Sequence, residues 1–252
     1  MQMVFLTALG VGGATVLGSV LGFAFKKISH KFSDIVLAFA AGVMLCAAIA
    51  GLILPSLEGG GAEALPVTVI GVFLGALCIN LLDKAVPHLH RLAGADQEAH
   101  PDKTAQLNKV LLFVMAIAIH NLPEGIAAGV GFGGGNVNEA ITIAAGIALQ
   151  NVPEGMVIIA PMLAAGISRS RTFIAAMATG LVEVLGTLLG YLAVSVSSAI
   201  LPFALAFAGG TMLYVISDEM IPETHAHGCE RGATWALMAG FCLMLAMHHY
   251  LG

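Results

Sequence analysis

The sequence predicts an all-α integral membrane protein, and three observations carry that expectation. Its residues are 58% hydrophobic and only 10% charged, with a mean hydropathy of +0.94, whereas a soluble domain carries roughly a quarter charged residues. The apolar runs are long and do not alternate, which argues for helices and against a transmembrane barrel of strands. Every basic residue falls in alternate connections between those runs, the pattern expected of cytoplasmic loops.

Eight spans of about 20 or more apolar residues can be drawn, at roughly 3–25, 34–57, 64–86, 109–131, 139–165, 172–195, 200–222 and 232–251. Span 1 has no basic region before it, and its positive charges, Lys26, Lys27 and Lys31, follow it. It reads as a retained helix that starts outside, not as a cleaved signal peptide. Span 2 ends in the turn Glu58-Gly59-Gly60-Gly61, where Glu58 is placed either to attract cations at an entrance or simply to be solvated. Span 3 leads into the longest connection, about 87–108, which is polar and leaves no room for a second domain, so 1–252 reads as a single membrane domain. Spans 4 and 5 flank the turn Gly131-Phe132-Gly133-Gly134-Gly135. Gly10, Gly12, Gly13, Gly18 and Gly22 in span 1, and Gly180, Gly186 and Gly190 in span 6, are the small residues that let membrane helices approach closely.

The ten Lys and Arg sit in connections 1–2 (Lys26, Lys27, Lys31), 3–4 (Lys84, Arg91, Lys103, Lys109), 5–6 (Arg169, Arg171) and 7–8 (Arg231). By the positive-inside rule those connections are cytoplasmic and both termini face outward. The four cysteines, Cys46, Cys78, Cys229 and Cys242, include no close pair, so neither a disulfide framework nor a cysteine zinc site is indicated. The formal charge of −5 says little about partners where most of the chain meets lipid, and nothing points to nucleic acid.

Function concentrates in two stretches, His120-Asn121-Leu122-Pro123-Glu124-Gly125 and Gln150-Asn151-Val152-Pro153-Glu154-Gly155. They are one motif written twice, 30 positions apart, inside two long apolar spans. Ionisable residues there are costly and mark a site. Each proline removes an N–H, so the carbonyls of Ile119 and Leu149 lose their usual partners. Broken helices at membrane depth line a cavity or are buried in protein, and repeated ones point to a binding site between them.

Depth supports this. Glu124 is 15 residues from Lys109, Glu154 is 15 from Arg169 and Glu183 is 12 from Arg171, or about 18–22 Å above the cytoplasmic flank at helical rise. That is mid-membrane. Lys84 and Lys109 stand at span edges and no Lys or Arg lies at this depth to neutralise these three carboxylates, so they are either protonated or balanced by a cation. His120 and Glu124 share a helix face, and Gln150, Asn151 and Glu154 repeat the layout on the antiparallel neighbour. Together with Asn121 they offer imidazole, carboxylate and amide ligands suited to Zn²⁺, Fe²⁺ or Mn²⁺. The plainer alternative is an interhelical polar clasp with Pro and Gly as kinks.

The paired motif, with eight spans, outward termini and a cytoplasmic 3–4 loop, resembles the ZIP family of divalent-metal transporters, in its bacterial, GufA-like and ZupT-like branch. The resemblance covers essentially the whole chain. It implies three helices, two central helices and three helices related by an inverted repeat, and a mobile bundle of spans 1, 4, 5 and 6 that moves like an elevator. It implies a two-metal centre: one site from His120, Glu124, Gln150 and Glu154, and a second from Asn121, Asn151 and Glu183 bridged by Glu124 and Glu154. Some relatives carry aspartate where Asn151 stands and serine where Gly51 stands, which bears on the second site. It also implies a His-bearing 3–4 loop, here His88, His90 and His100, able to receive exiting metal. Asp218, Glu219, Glu223, His225 and His227 at the end of span 7 are further candidates for such a relay, or are solvated surface.

The expected function is uptake of divalent cations, Zn²⁺ first and Fe²⁺, Mn²⁺ or Cd²⁺ as related cargo, into the cytoplasm across the plasma or inner membrane. The metal is substrate and no cofactor is expected; the partners are metal ions and lipid, with a homodimer as one assembly left open. The rival is an intramembrane metal-dependent hydrolase, disfavoured because no His-Glu-x-x-His motif occurs. A metal-gated sensor is the third reading.

Overall fold

The computed structural model describes residues 1–24, 29–59, 61–85, 103–164 and 166–252, apart from the side chains of 83, 85, 103–116, 161, 164 and 198. Among these residues there is no strand. Helices α1 (Gln2–Ala24), α4 (Ala64–Ala85), α5 (Lys103–Gly131), α6 (Val137–Ala164), α7 (Arg169–Val196) and α10 (Glu230–Leu251) correspond to spans 1, 3, 4, 5, 6 and 8. Span 2 is α2 (His30–Cys46), a π-helical turn (Ala47–Ile53) and α3 (Leu54–Gly59); span 7 is α8 (Leu201–Val215), a second π-helical turn (Ile216–Met220) and α9 (Ile221–Thr224). Seven of these segments are long and apolar enough to cross a membrane: Gln2–Ala24, His30–Gly59, Gly61–Leu82, Val137–Ala160, Arg169–Val196, Leu201–Thr224 and Glu230–Leu251. Eight were expected; the fourth, α5, is a helix but is not among the seven.

Local chemistry starts the helices. Ser29 Oγ accepts from Phe32 N at 3.2 Å to cap α2, and Ser168 Oγ caps α7 through Arg171 N at 3.4 Å. Asn136 Oδ1 accepts from the amides of Asn138 and Glu139 where α6 begins. Large apolar side chains such as Phe73, Ile174 and Trp235 face outward, as lipid-facing helices require.

The expected helix breaks lie elsewhere. Both α5 and α6 run unbroken through Pro123 and Pro153, because a single missing N–H deletes one bond without ending a helix whose neighbours hold it. The disturbances fall instead in spans 2 and 7, where each wide turn is followed directly by a proline-containing turn, Leu54-Pro55 and Ile221-Pro222. Such π turns often sit at functional sites.

Packing divides the helices into two sets. In one, α1 lies along α6, α5 along α7, and α1 also meets α7. In the other, α4 lies along α8 and α2 along α10. The pairings are related by the inverted order of the halves: span 1 on span 5 answers span 6 on span 4, and span 3 on span 7 answers span 8 on span 2. The two π turns correspond under the same relation.

Glycines show how each set is held. Inside the first set, a Cβ at Gly12, Gly18 or Gly190 would run into the backbone carbonyl of Gly180, Val152 or Ile126. Inside the second, Gly42 and Gly240 do the same against Leu237 and Phe39. Between the sets the neighbours are flexible side chains: Ile143 against Gly51, and the Met244 thioether against Gly146. The core along this seam is built of small and pliant residues, among them Ala40, Ala47, Ala48, Ala127 and Met44. Gly10 and Gly13, by contrast, have nothing within 4 Å of a Cβ, so they do not serve as packing glycines.

Candidate metal centre

The two motifs meet in the first set. Asn121 and Glu124 on α5, Gln150 and Asn151 on α6, and Glu183 on α7 are each at most 1% exposed, while His120 and Glu154 are half-buried. Glu124 stands within electrostatic reach of Glu154 and Glu183, and Glu154 within reach of His120. The three carboxylates expected at one depth are therefore near neighbours.

Glu183 is the most heavily engaged of them. Thr15 Oγ1, from α1, donates to Glu183 Oε1 at 2.7 Å, and Asn121 Nδ2 donates to the same oxygen. Asn151 Nδ2 donates to Oε2 at 2.8 Å and also to the Val11 carbonyl at 3.3 Å. One carboxylate thus joins four helices. The glycines that end the two motifs make this possible. A Cβ on Gly125 would collide with the backbone carbonyl of Glu183 itself, and one on Gly155 with that of Thr15. Ser19 Oγ, one turn after Thr15, faces the Gly155 carbonyl at 3.1 Å and the Thr15 carbonyl at 3.0 Å.

Other buried polar atoms in the centre have no hydrogen-bond partner among the described residues: Asn121 Oδ1, Asn151 Oδ1, Glu124 Oε2 and both ends of the Gln150 amide. Gln150 stands beside Glu124 without a well-formed hydrogen bond. Orphaned acceptors of this kind are rare and call for an explanation, and four of these five atoms are oxygens. Among the described residues, no three His, Cys, Asp or Glu side chains are gathered as a metal-ligand set; in the centre, carboxylates alternate with amides. His120 directs Nε2 to Glu219 Oε1, 3.0 Å away in the π turn of span 7, and so crosses from the first set to the second.

The relay candidates are dispersed. His88 and His90 lie outside the described residues. Asp218 and Glu223 are exposed. His225 Nδ1 lies 2.8 Å from the Ile221 carbonyl and its Nε2 3.2 Å from the Thr234 hydroxyl, so both nitrogens secure the end of span 7. His227 pairs with buried Asp34 at 3.1 Å and stacks on His30. Glu58 is exposed at the end of α3. Sequence reasoning passed over Thr15 and Asp34. The signal for Thr15 was a hydroxyl inside an otherwise apolar, glycine-rich span; the signal for Asp34 was a carboxylate at the edge of span 2.

The chain is similar to known zinc transporters. The family model described as ZIP Zinc transporter matches residues 87–248. The chain is 41% identical to Zinc transporter GufA of Myxococcus xanthus, covering 97% of both chains. It is 40% identical to Zinc transporter ZIPB of Bordetella bronchiseptica, over 95% of this chain and 78% of the relative. It is 35% identical to Zinc transporter ZupT of Chlorobaculum parvum, over 95% of this chain and 94% of the relative.

Proposed function

Since the chain belongs to the ZIP zinc transporter family, we propose that it carries Zn²⁺ through the membrane into the cytoplasm, by way of the centre on α5, α6 and α7. It is a multi-pass membrane protein and a transporter rather than an enzyme, and zinc is its cargo rather than its cofactor. The observation that carries the site assignment is the set of buried oxygens without donors, Asn121 Oδ1, Asn151 Oδ1, Glu124 Oε2 and Gln150 Oε1. A buried acceptor stripped of water and given no hydrogen costs free energy until something positive arrives. A divalent cation satisfies several such oxygens at once.

The centre offers two places. His120, Glu124, Gln150 and Glu154 bound the first; Asn121, Asn151 and Glu183, with Glu124 and Glu154 between, bound the second. Borderline and hard donors of this kind also accept Fe²⁺, Mn²⁺ or Cd²⁺. Glu219 lies next along the path, because it already reaches His120; His88, His90, Asp218, Glu223, His225 and His227 remain relay candidates toward the cytoplasm, and Glu58 remains one for the entrance. Orientation follows the one-sided basic residues, with both termini outside.

An elevator-like movement is supported by the two kinds of helix contact. Backbone-to-backbone glycine contacts and the four-helix carboxylate make α1, α5, α6 and α7 one rigid body, while the seam to the second set is lined by Ile143 and Met244 side chains that can slide. The test is uptake of Zn²⁺, Fe²⁺, Mn²⁺ and Cd²⁺ into liposomes holding the purified chain, with and without a pH or voltage gradient. Saturable Zn²⁺ accumulation is expected. Metal-dependent peptide cleavage without flux would favour the hydrolase instead.

A further inference from the structure

The Glu183 corner of the centre is already occupied by the protein's own hydrogens. Glu183 Oε1 accepts from Thr15 and Asn121, and Oε2 accepts from Asn151. Three of its roughly four lone-pair sites are taken by bonds that hold four helices together, so a cation approaching there meets the hydrogens of Thr15, Asn121 and Asn151. The two amides are constrained in turn. An amide that donates from Nδ2 presents Oδ1 on its other side, and those two Oδ1 atoms are among the buried oxygens with no donor.

We propose that Glu183 is a positioning residue in this chain: latched by Thr15, it aims the Asn121 and Asn151 carbonyls at the cargo without ligating it, so that the donorless oxygens of both motifs serve one Zn²⁺ and no separate second place forms beside Glu183. The inference rests on the transport reading above and refines it. Asn151 is what permits the latch. An aspartate there has no hydrogen to give and would set a second carboxylate against Glu183, a buried like-charge pair that needs a cation or a proton between its members. Asparagine supplies the hydrogen instead, and the latch closes without metal. The motif glycines fit this role, since Gly125 presses on the backbone of Glu183 and Gly155 on that of Thr15, the two residues whose side chains meet. Thr15 therefore acts on the ion through Glu183, although it offers no ligand to the centre.

The experiment is a calorimetric titration of Zn²⁺ into the full chain purified in detergent, with bound metal counted by elemental analysis after desalting. The wild type is expected to hold one ion. Thr15→Val removes one hydrogen bond to Glu183 and should weaken Zn²⁺ binding roughly threefold to tenfold with the count still one, and Thr15→Ser should restore the affinity. Glu183→Gln should also keep one ion, held about tenfold more weakly, because a side-chain amide cannot accept from both asparagines. Asn151→Asp should open the second place and raise the count toward two. Two ions in the wild type, falling to one in Glu183→Gln, would make Glu183 a ligand and overturn the inference while leaving transport intact. Unchanged affinity in Thr15→Val would also overturn it. A wild type that binds no Zn²⁺ and takes none up would overturn the transport reading itself.

Discussion

Gly125→Ala tests whether the close approach of α5 to α7 holds the centre together. The added Cβ would clash with the Glu183 carbonyl oxygen and lie 3.0 Å from both the carbonyl carbon and Cα of that residue. Carbon atoms in ordinary contact stand about 3.5–4.0 Å apart, and the obstacle is backbone, so the helices must separate by roughly an ångström at their crossing. Overpacking of this kind costs about 1–3 kcal/mol. At about 2–4 °C per kcal/mol for a chain of this size, melting in detergent should fall by several degrees. The same separation draws Glu183 away from Asn121, so Zn²⁺ uptake should fall more than stability alone predicts. Gly13→Ala is the control, because nothing lies within 4 Å of a Cβ there; it should melt like the wild type or slightly higher. The measurements are melting followed by intrinsic fluorescence and initial uptake rates in liposomes. Gly125→Ala melting within a degree of Gly13→Ala, with normal uptake, would refute the close-packing account.

Other expectations follow from the same centre. Glu124→Ala and Glu154→Ala should each abolish Zn²⁺ uptake, and normal flux in both would reduce the doubled motif to scaffolding. Cysteines placed singly at exposed Ser170 and Gly134, in a background without native cysteines, should react with an impermeant reagent from opposite sides of the membrane; reaction of both from outside intact cells would overturn the topology. Because ligands must lose protons to bind metal, apparent Zn²⁺ affinity in liposomes should weaken as the bath is acidified through the range where imidazole takes up a proton. An affinity flat across that range would exclude His120 as a ligand.

Much of the fold could be read from the chain. Long uncharged runs bounded by one-sided Lys and Arg mark membrane helices because lipid leaves few alternatives. The doubled motif pointed to the centre because a mid-membrane carboxylate needs a reason to be there. Helix continuity was harder to read. Pro123 and Pro153 look like breaks, yet tertiary packing carries both helices through, and the wide turns arise beside Pro55 and Pro222, where sequence alone gave no warning. Thr15 was hidden for a different reason. A hydroxyl on a helix can bond its own preceding turn, as Thr187 bonds the Glu183 carbonyl, and only the packing of α1 on α6 and α7 decides that Thr15 reaches across instead. The direction of the Asn121 and Asn151 amides was likewise set by a partner on another span.

The inverted halves of this protein are not equal, and the inequality has an energetic consequence. Matching the wide turns at Pro55 and Pro222 sets Glu219 opposite Leu52, just as the motifs set His120 opposite Gln150. The His120–Glu219 contact at 3.0 Å therefore has no chemical counterpart in the other half, where the corresponding residues are an amide and a fully buried leucine. A carrier assembled from inverted repeats has two mirror-related orientations that would be isoenergetic if the halves were identical. A polar contact worth about 1 kcal/mol and present in only one of them separates the two roughly fivefold in population. In the elevator reading proposed above, the empty carrier would rest with this contact closed, and cargo taking hold of His120 would remove the bias.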